Sequence, residues 1–69
     1  MKQEDVTPEQ FARWSFEIDQ ANVRYATGLT FDQLAPSTRE AYLAEGKYYV
    51  EKHPKNDWPL DIYVKMQKV

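Results

Sequence analysis

The chain has 69 residues, which is too few for two hydrophobic cores, so we expect a single domain covering residues 1–69. It contains no cysteine, which excludes disulfides and thiolate metal sites, while 42% hydrophobic and 14% aromatic residues are typical of a folded domain. A net charge of −2 argues against a dedicated duplex binder, although a local nucleic-acid contact by Lys65 and Lys68 stays open.

The first residues of the chain are polar and carry no apolar run of the kind found in a secretory signal. No stretch is long and apolar enough to predict a membrane-spanning helix. Together with the lack of cysteine, these features predict a cytoplasmic protein with no membrane association. Residues 1–6 are expected to form a flexible lead-in.

A first helix is predicted to begin after Thr7, because Thr7 is a good N-cap, Pro8 suits the first helical position and Gln10 completes a capping box. Thr27-Gly28 is expected to end it, since glycine readily adopts a left-handed C-terminal cap. Apolar residues recur three and four positions apart, as on one face of an amphipathic helix: Phe11, Trp14, Ile18, Ala21 and Tyr25.

A smaller capping pattern follows, with Thr30 as the cap and Gln33 three residues later. Pro36 limits its length, because the residue before a proline is driven away from helical geometry. We predict a single helical turn, with a plain loop as the alternative. Either form would place Phe31 and Leu34 against the core.

The second main helix is predicted to begin at a capping box formed by Ser37 and Glu40, and to run to about Lys52. Helical spacing at about 100° per residue defines an inward face: Tyr42, Gly46, Tyr49, Val50 and His53, with Leu43 at its margin. A narrower apolar strip of Ala41, Ala44 and Tyr48 either contacts another element or stays exposed.

Gly46 lies in the middle of that inward face, where a glycine costs about 1 kcal/mol relative to alanine. We therefore expect a bulky group or another backbone to approach it, with Trp14 as the leading candidate. The alternative is that the helix simply tolerates a suboptimal residue.

The last segment has two interpretations. The favoured one is a short helix capped by Asp57, with Leu60, Tyr63 and Val64 facing inward. The alternative is a C-terminal β-strand, which would need a second chain for pairing. The predicted fold is therefore all-α, a small helical bundle of two main antiparallel helices, a one-turn connector and a short C-terminal helix, in a monomer or a homodimer.

The sequence predicts no catalytic, metal or cofactor site. Its one histidine, His53, falls in the last turn of a helix, where we expect it to cap or pack. There is no HExxH pair and no aspartate-rich calcium loop, and two glycines provide no phosphate-binding loop.

A protein-binding surface is the favoured functional interpretation, because tyrosine and tryptophan dominate interface energetics. The candidate residues are Tyr48, Trp58 and Tyr63, with Lys52 and Lys55 around them. The sequence thus predicts a non-enzymatic protein-interaction module. The alternative is a small nucleic-acid-associated regulator that uses the C-terminal lysines.

One stretch carries a family resemblance, which spans about residues 11 to 52. The residues that carry it are Phe31, Leu34, Arg39, Glu40, Tyr42 and Lys47, together with the Ser37 start. They resemble the W-x-x-L-P-x-x-x-R-E-x-x-R-x-x-A pattern of small helical phage and bacterial proteins and, more distantly, the bacterial ryanodine-receptor-type (RyR) domain. Phe31 replaces the usual tryptophan, and Gly46 stands where alanine is common. The resemblance implies a small accessory protein, and it brings no catalytic residues. The favoured interpretation is therefore a protein-interaction module that acts as a phage or mobile-element accessory or inhibitory protein and binds a larger host protein.

Overall fold

The structure is a computed structural model that describes residues 6–24 and 26–68. Within these residues there are three α-helices and no strand, so the all-α prediction is confirmed and the alternative C-terminal strand is not supported. Two single 3₁₀ turns lie between them. In chain order the elements are α1 (Pro8–Ala21), a 3₁₀ turn (Phe31–Gln33), α2 (Pro36–Lys52), a 3₁₀ turn (Lys55–Asp57) and α3 (Leu60–Gln67).

Helix α1 begins as predicted, with the Gln10 amide donating to the Thr7 hydroxyl oxygen at 3.1 Å. The predicted lead-in needs a correction at its last residue, because Val6 is buried in the core. The rest of that lead-in, residues 1–5, lies outside the described residues, as does Tyr25.

The predicted end of α1 at Thr27-Gly28 is wrong, because the helix stops at Ala21. Side-chain acceptors take over the backbone donors that follow: the Asn22 carboxamide oxygen accepts from the Arg24 amide at 3.0 Å. The Gln20 side chain likewise accepts from the Thr27 amide at 2.8 Å. These local bonds stabilise a loop in place of another helical turn.

The connector between α1 and α2 forms the predicted single turn. The Gln33 side-chain oxygen accepts from the Thr30 amide at 2.9 Å, and the Gln33 amide donates to the Thr30 carbonyl at 3.0 Å. Phe31 and Leu34 are both buried, as expected.

Helix α2 ends at Lys52 as predicted, but its predicted capping box at Ser37 is wrong. The helix begins one residue earlier, at Pro36, and Ala35 is the N-cap residue. The following proline keeps Ala35 extended, and proline itself has the φ angle of a first helical residue. The Thr38 amide then donates to the Ala35 carbonyl at 3.0 Å.

Helices α1 and α2 run antiparallel, because contacts shift toward the start of α2 as α1 advances. Early in α1, the Phe11 ring stacks on Tyr49 with centroids 5.1 Å apart. Late in α1, the Asp19 carboxylate accepts a hydrogen bond from the Tyr42 hydroxyl.

Gly46 sits at the closest approach of these helices and is buried. The expectation of a close neighbour is confirmed, but the neighbour is not Trp14. A Cβ atom at position 46 would overlap the Pro8 carbonyl oxygen and would lie 3.3 Å from the Ala12 amide nitrogen. Gly46 therefore makes room for the backbone of α1.

Helix α1 is buried on two sides, because it contributes to two hydrophobic clusters. Phe11, Trp14 and Ile18 of the predicted stripe lie in or against the first cluster, but Ala21 is exposed. Phe16, in the second cluster, lies off that stripe. The first cluster consists of Val6, Phe11, Trp14, Trp58, Ile62 and Met66. The second consists of Ala12, Phe16, Phe31 and Leu34, with Tyr42 and Leu43 packed against it.

Helix α3 is rotated relative to the prediction. Its N-cap is Pro59, and Asp57 belongs to the preceding 3₁₀ turn. Leu60 and Val64 were expected to face inward but are 75% and 44% exposed. Residues spaced four apart face the core instead: Trp58, Ile62 and Met66.

Candidate functional site

Trp58 was expected at a binding surface, and the structure corrects this placement. Its side chain is 4% exposed, and its ring meets Phe11 edge to face with centroids 5.3 Å apart. The indole N–H donates to the carbonyls of Tyr49 at 3.1 Å and His53 at 3.3 Å, the end of α2. A buried ring with a satisfied donor contributes to the core, because it leaves little surface for a partner.

Tyr63 and Lys55 are tied to each other. Tyr63 is half-buried and packs against the first cluster, and its hydroxyl donates to the backbone carbonyl of Lys55. This bond holds the 3₁₀ turn against α3. These two members of the predicted surface therefore also help to close the fold.

Tyr48 and Lys52 are the two members of the predicted set that are exposed. Tyr48 is 51% exposed, and its ring lies 4.5 Å from the His53 ring and 5.6 Å from that of Tyr49. His53 is the C-cap residue of α2, with its Nδ1 3.7 Å from an Asp57 carboxylate oxygen. The structure thus brings Tyr48 and His53 together, whereas Trp58 is buried in the core.

A depression between α1 and α3 was not predicted. It has a volume of about 420 Å³ and is lined by Glu17, Ile18, Ala21, Asn22, Asp61, Val64 and Lys65. A second depression of about 150 Å³ adjoins it and is lined by Ser15, Ile18, Asp19, Glu45, Pro59, Asp61 and Ile62. Ile18 and Asp61 line both, so the two form one feature, which we call the α1–α3 groove.

The lining of the larger depression is partly apolar and partly charged. Ile18, Ala21 and Val64 provide the apolar surface. Across both depressions the lining has four carboxylates and one ammonium group, a net of three negative charges at neutral pH: Glu17, Asp19, Glu45 and Asp61 against Lys65.

Several of these charged groups have partners. The Lys65 ammonium lies 3.1 Å from a Glu17 carboxylate oxygen, which joins α3 to α1. Glu45 accepts from the Ser15 hydroxyl at 3.0 Å. For Asp61, no ion pair is found within the described residues, and its side chain lies on the exposed first turn of α3.

Tyr42 and Arg13, which pack around the second cluster, have perturbed pKa values. Burial and then the hydrogen bond to Asp19 raise the pKa of Tyr42 to about 12. The hydrogen bonds that the Arg13 guanidinium donates to Asp32 and Glu9 raise its pKa. Each raised pKa favours the protonated form, which is already the form present at neutral pH. Neither group is therefore set to exchange a proton near neutral pH.

Sequence reasoning missed the groove because its position depends on how α3 rotates. The available signal for the buried face of α3 was the four-residue spacing of Trp58, Ile62 and Met66. Leu60 and Val64 have the same spacing and indicate the opposite face. Choosing between these two faces required knowing that Trp58 is buried.

Among residues 6–24 and 26–68, no three histidine or carboxylate side chains come close enough together to hold a metal ion. In the same part of the chain, none of the helices combines the length and apolar character needed to cross a membrane.

Comparison of the chain with protein-family models, with curated proteins and with solved structures gives no match.

Proposed function

We propose that the chain is a non-enzymatic protein-interaction module that binds a larger protein through the α1–α3 groove. The observation that carries the proposal is the pair Leu60 and Val64, apolar residues that are 75% and 44% exposed on the outer side of α3. Val64 also lines the groove. A role as a phage or mobile-element accessory or inhibitory protein extends this proposal and rests on the resemblance around Phe31 and Arg39.

These exposed side chains are not needed to complete the core. The opposite side of α3 supplies Ile62 and Met66, which are 1% and 4% exposed. Leu60 and Val64 follow each other at a spacing of four, so they share one helix face. Apolar side chains placed together beside a groove are typical of a surface that a partner covers.

A nucleic-acid partner has less support. Lys65 was a candidate phosphate contact, but its ammonium group is paired with Glu17. The carboxylates around the groove would repel a phosphate backbone. Lys68 lies at the exposed end of α3 and would act alone.

The test uses the full chain, immobilised, to capture proteins from a bacterial lysate. We expect one protein at near-stoichiometric yield with the wild type and its loss with Ala21→Gln, which places a longer neutral side chain in the groove. Ala44→Gln makes the same change on the exposed side of α2 and should retain the partner. The captured protein, identified by mass spectrometry, is then purified and titrated against all three chains.

Circular dichroism checks that each variant keeps the helical content of the wild type. Failure to recover any stoichiometric protein with the wild type would contradict the proposed function. Recovery of a partner that binds Ala21→Gln and wild type equally would leave a binding module but assign its surface elsewhere.

A further inference from the structure

We infer that the segment of the partner that occupies the α1–α3 groove is a basic amphipathic helix. This inference rests on the proposed function and adds the chemistry of the partner. It is argued from the charge around the groove, from the continuity of its two depressions and from the repulsion that a second copy of this chain would meet.

The charge of the groove is the first argument. Its lining carries a net charge of −3, whereas the whole chain has a net charge of −2. All other residues together therefore carry a net charge of +1. Lys65 is already paired with Glu17. Asp61 lines both depressions, where its carboxylate could pair with a lysine or arginine of the partner beside the apolar side chain of Ile18. Complementary charge of this kind sets partner choice and association rate more than raw affinity.

The continuity of the two depressions is the second argument. On α1 the larger one involves Ala21 and the smaller one Ser15, with Ile18 between them in both. On α3 the larger one involves Val64 and the smaller one Pro59, with Asp61 in both, so the two depressions form one continuous groove along both helices. A continuous groove between two helices can hold an amphipathic helix, whose apolar side chains at positions i and i+4 lie along one face.

A second copy of the chain fits the groove poorly. A symmetric dimer through this surface would place the carboxylates of one groove against the same carboxylates of the other copy. Like charges brought together at an interface disfavour the pairing.

The test uses two synthetic helical peptides of equal length as probes. Both carry leucines at positions i and i+4. One has lysines around the leucines, and the other has glutamates at the same positions. Binding is measured by fluorescence anisotropy, and the site is mapped by amide chemical-shift changes in the isotope-labelled full chain.

We expect the lysine peptide to bind, with its largest shift changes in residues 17–22 and 61–65, and the glutamate peptide to bind at least about tenfold more weakly. Asp61→Lys should weaken the lysine peptide by about tenfold or more. Glu51→Lys changes the net charge equally on the exposed side of α2, so its effect should stay within about twofold. Raising the salt concentration should weaken wild-type binding.

Three outcomes would overturn the inference: equal binding of the two peptides, shift changes centred on Tyr48 in place of the groove, or an Asp61→Lys effect no larger than that of Glu51→Lys. Its failure is distinguishable from failure of the proposed function. If neither peptide binds, while a captured protein binds the wild type and is lost with Ala21→Gln, the groove is a docking site for a partner of different chemistry and the inference falls alone.

Discussion

Gly46 and Pro8 mark the point where the backbones of α2 and α1 are closest. A Cβ atom on residue 46 would overlap the Pro8 carbonyl oxygen and would lie 3.1 Å from the carbonyl carbon. Backbone atoms at the start of a helix cannot move aside as the end of a flexible side chain can. The glycine is therefore a packing requirement.

Gly46→Ala should destabilise the protein although alanine is the better helix former. The substitution gains about 1 kcal/mol of helix propensity. Forcing α1 and α2 apart costs about 1–3 kcal/mol or more, as overpacking does in cores, and the overlap with backbone places this case at or above the upper end. We expect a net loss of about 2 kcal/mol or more in the free energy of unfolding, measured with urea.

Ala44→Gly on the exposed side of α2 is the matched control. It should cost about 1 kcal/mol, because it loses propensity and nothing else. If the removal of glycine at position 46 stabilises the protein, the close approach of the two helices is wrong.

The burial of Trp58 predicts that its replacement lowers the stability of the fold and does not act selectively on partner binding. Trp58→Ala should cost about 3–5 kcal/mol, which is about what a core in a chain of this size supplies. The variant should be largely unfolded by circular dichroism. A Trp58→Ala chain that stays folded and loses only partner binding would restore the tryptophan to the interface.

Trp58→Phe separates the ring from its N–H. Phenylalanine keeps an aromatic group against Phe11 but leaves the His53 carbonyl without the indole donor. We expect a loss of about 1–3 kcal/mol in the free energy of unfolding. Tyr48→Phe removes a hydroxyl from a 51% exposed side chain and should change stability by less than about 0.5 kcal/mol.

The features that were predictable from the sequence are local ones. The caps at Thr7 and Thr30 depend on residues three positions apart, and both form. Helix α2 begins at Pro36 and not after Ser37, because the proline takes the first helical position in the turn where Ser37 was expected to be the cap. Helix existence and type thus followed from nearby residues, as expected when capping and periodicity agree.

The features that were not predictable depend on contacts between distant elements. The spacing of apolar residues identifies the inward face of α2. Whether Gly46 contacts a side chain of α1 or the backbone at Pro8 depends on where along their lengths the two helices pack, which the spacing does not give. Phe16 lies off the main stripe because α1 packs on two sides. The groove depends on the rotation of α3, which the burial of Trp58 determines.

Arg13 joins α1 to the connector through charged groups at the surface. Its guanidinium lies 3.0 Å from Glu9 and 2.8 Å from Asp32, and it stands over the Phe31 ring at 5.0 Å. Arg13→Met should lower the melting temperature at low salt, and the difference from the wild type should shrink as salt screens the ion pairs. Arg13→Lys should fall between the two, because an ammonium group cannot serve both carboxylates with the geometry of a guanidinium.

The control for Arg13→Met is Lys47→Met, which removes the same charge from the exposed side of α2. It should shift the melting temperature little at either salt concentration. An Arg13→Met shift that is equal at low and high salt would mean that the side chain acts through its packing on Phe31 alone.

Tyr42 couples the stability of the second cluster to alkaline pH. Its ring meets Phe16 edge to face at 5.7 Å, and its hydroxyl donates to Asp19. The pKa is raised from 10.0 to about 12, first by burial and then by the Asp19 carboxylate. A raised pKa means that the folded state favours the neutral phenol. This contribution to stability is fully present below pH 10 and is lost as the pH rises through about 12.

Tyr42→Phe isolates this contribution, because phenylalanine fills the same space and does not ionise. At neutral pH the variant should be less stable by about 1 kcal/mol, the usual net value of one hydrogen bond that solvent partly screens. The free energies of unfolding of the two chains should converge between pH 10.0 and about 12, where the wild type alone loses the favoured phenol. Urea unfolding followed by circular dichroism across that range gives the difference directly, with Tyr48→Phe as the exposed control. A difference that stays constant with pH would show that Tyr42 ionises equally in the folded and unfolded chains, and the Asp19 contact would then have no part in alkaline stability.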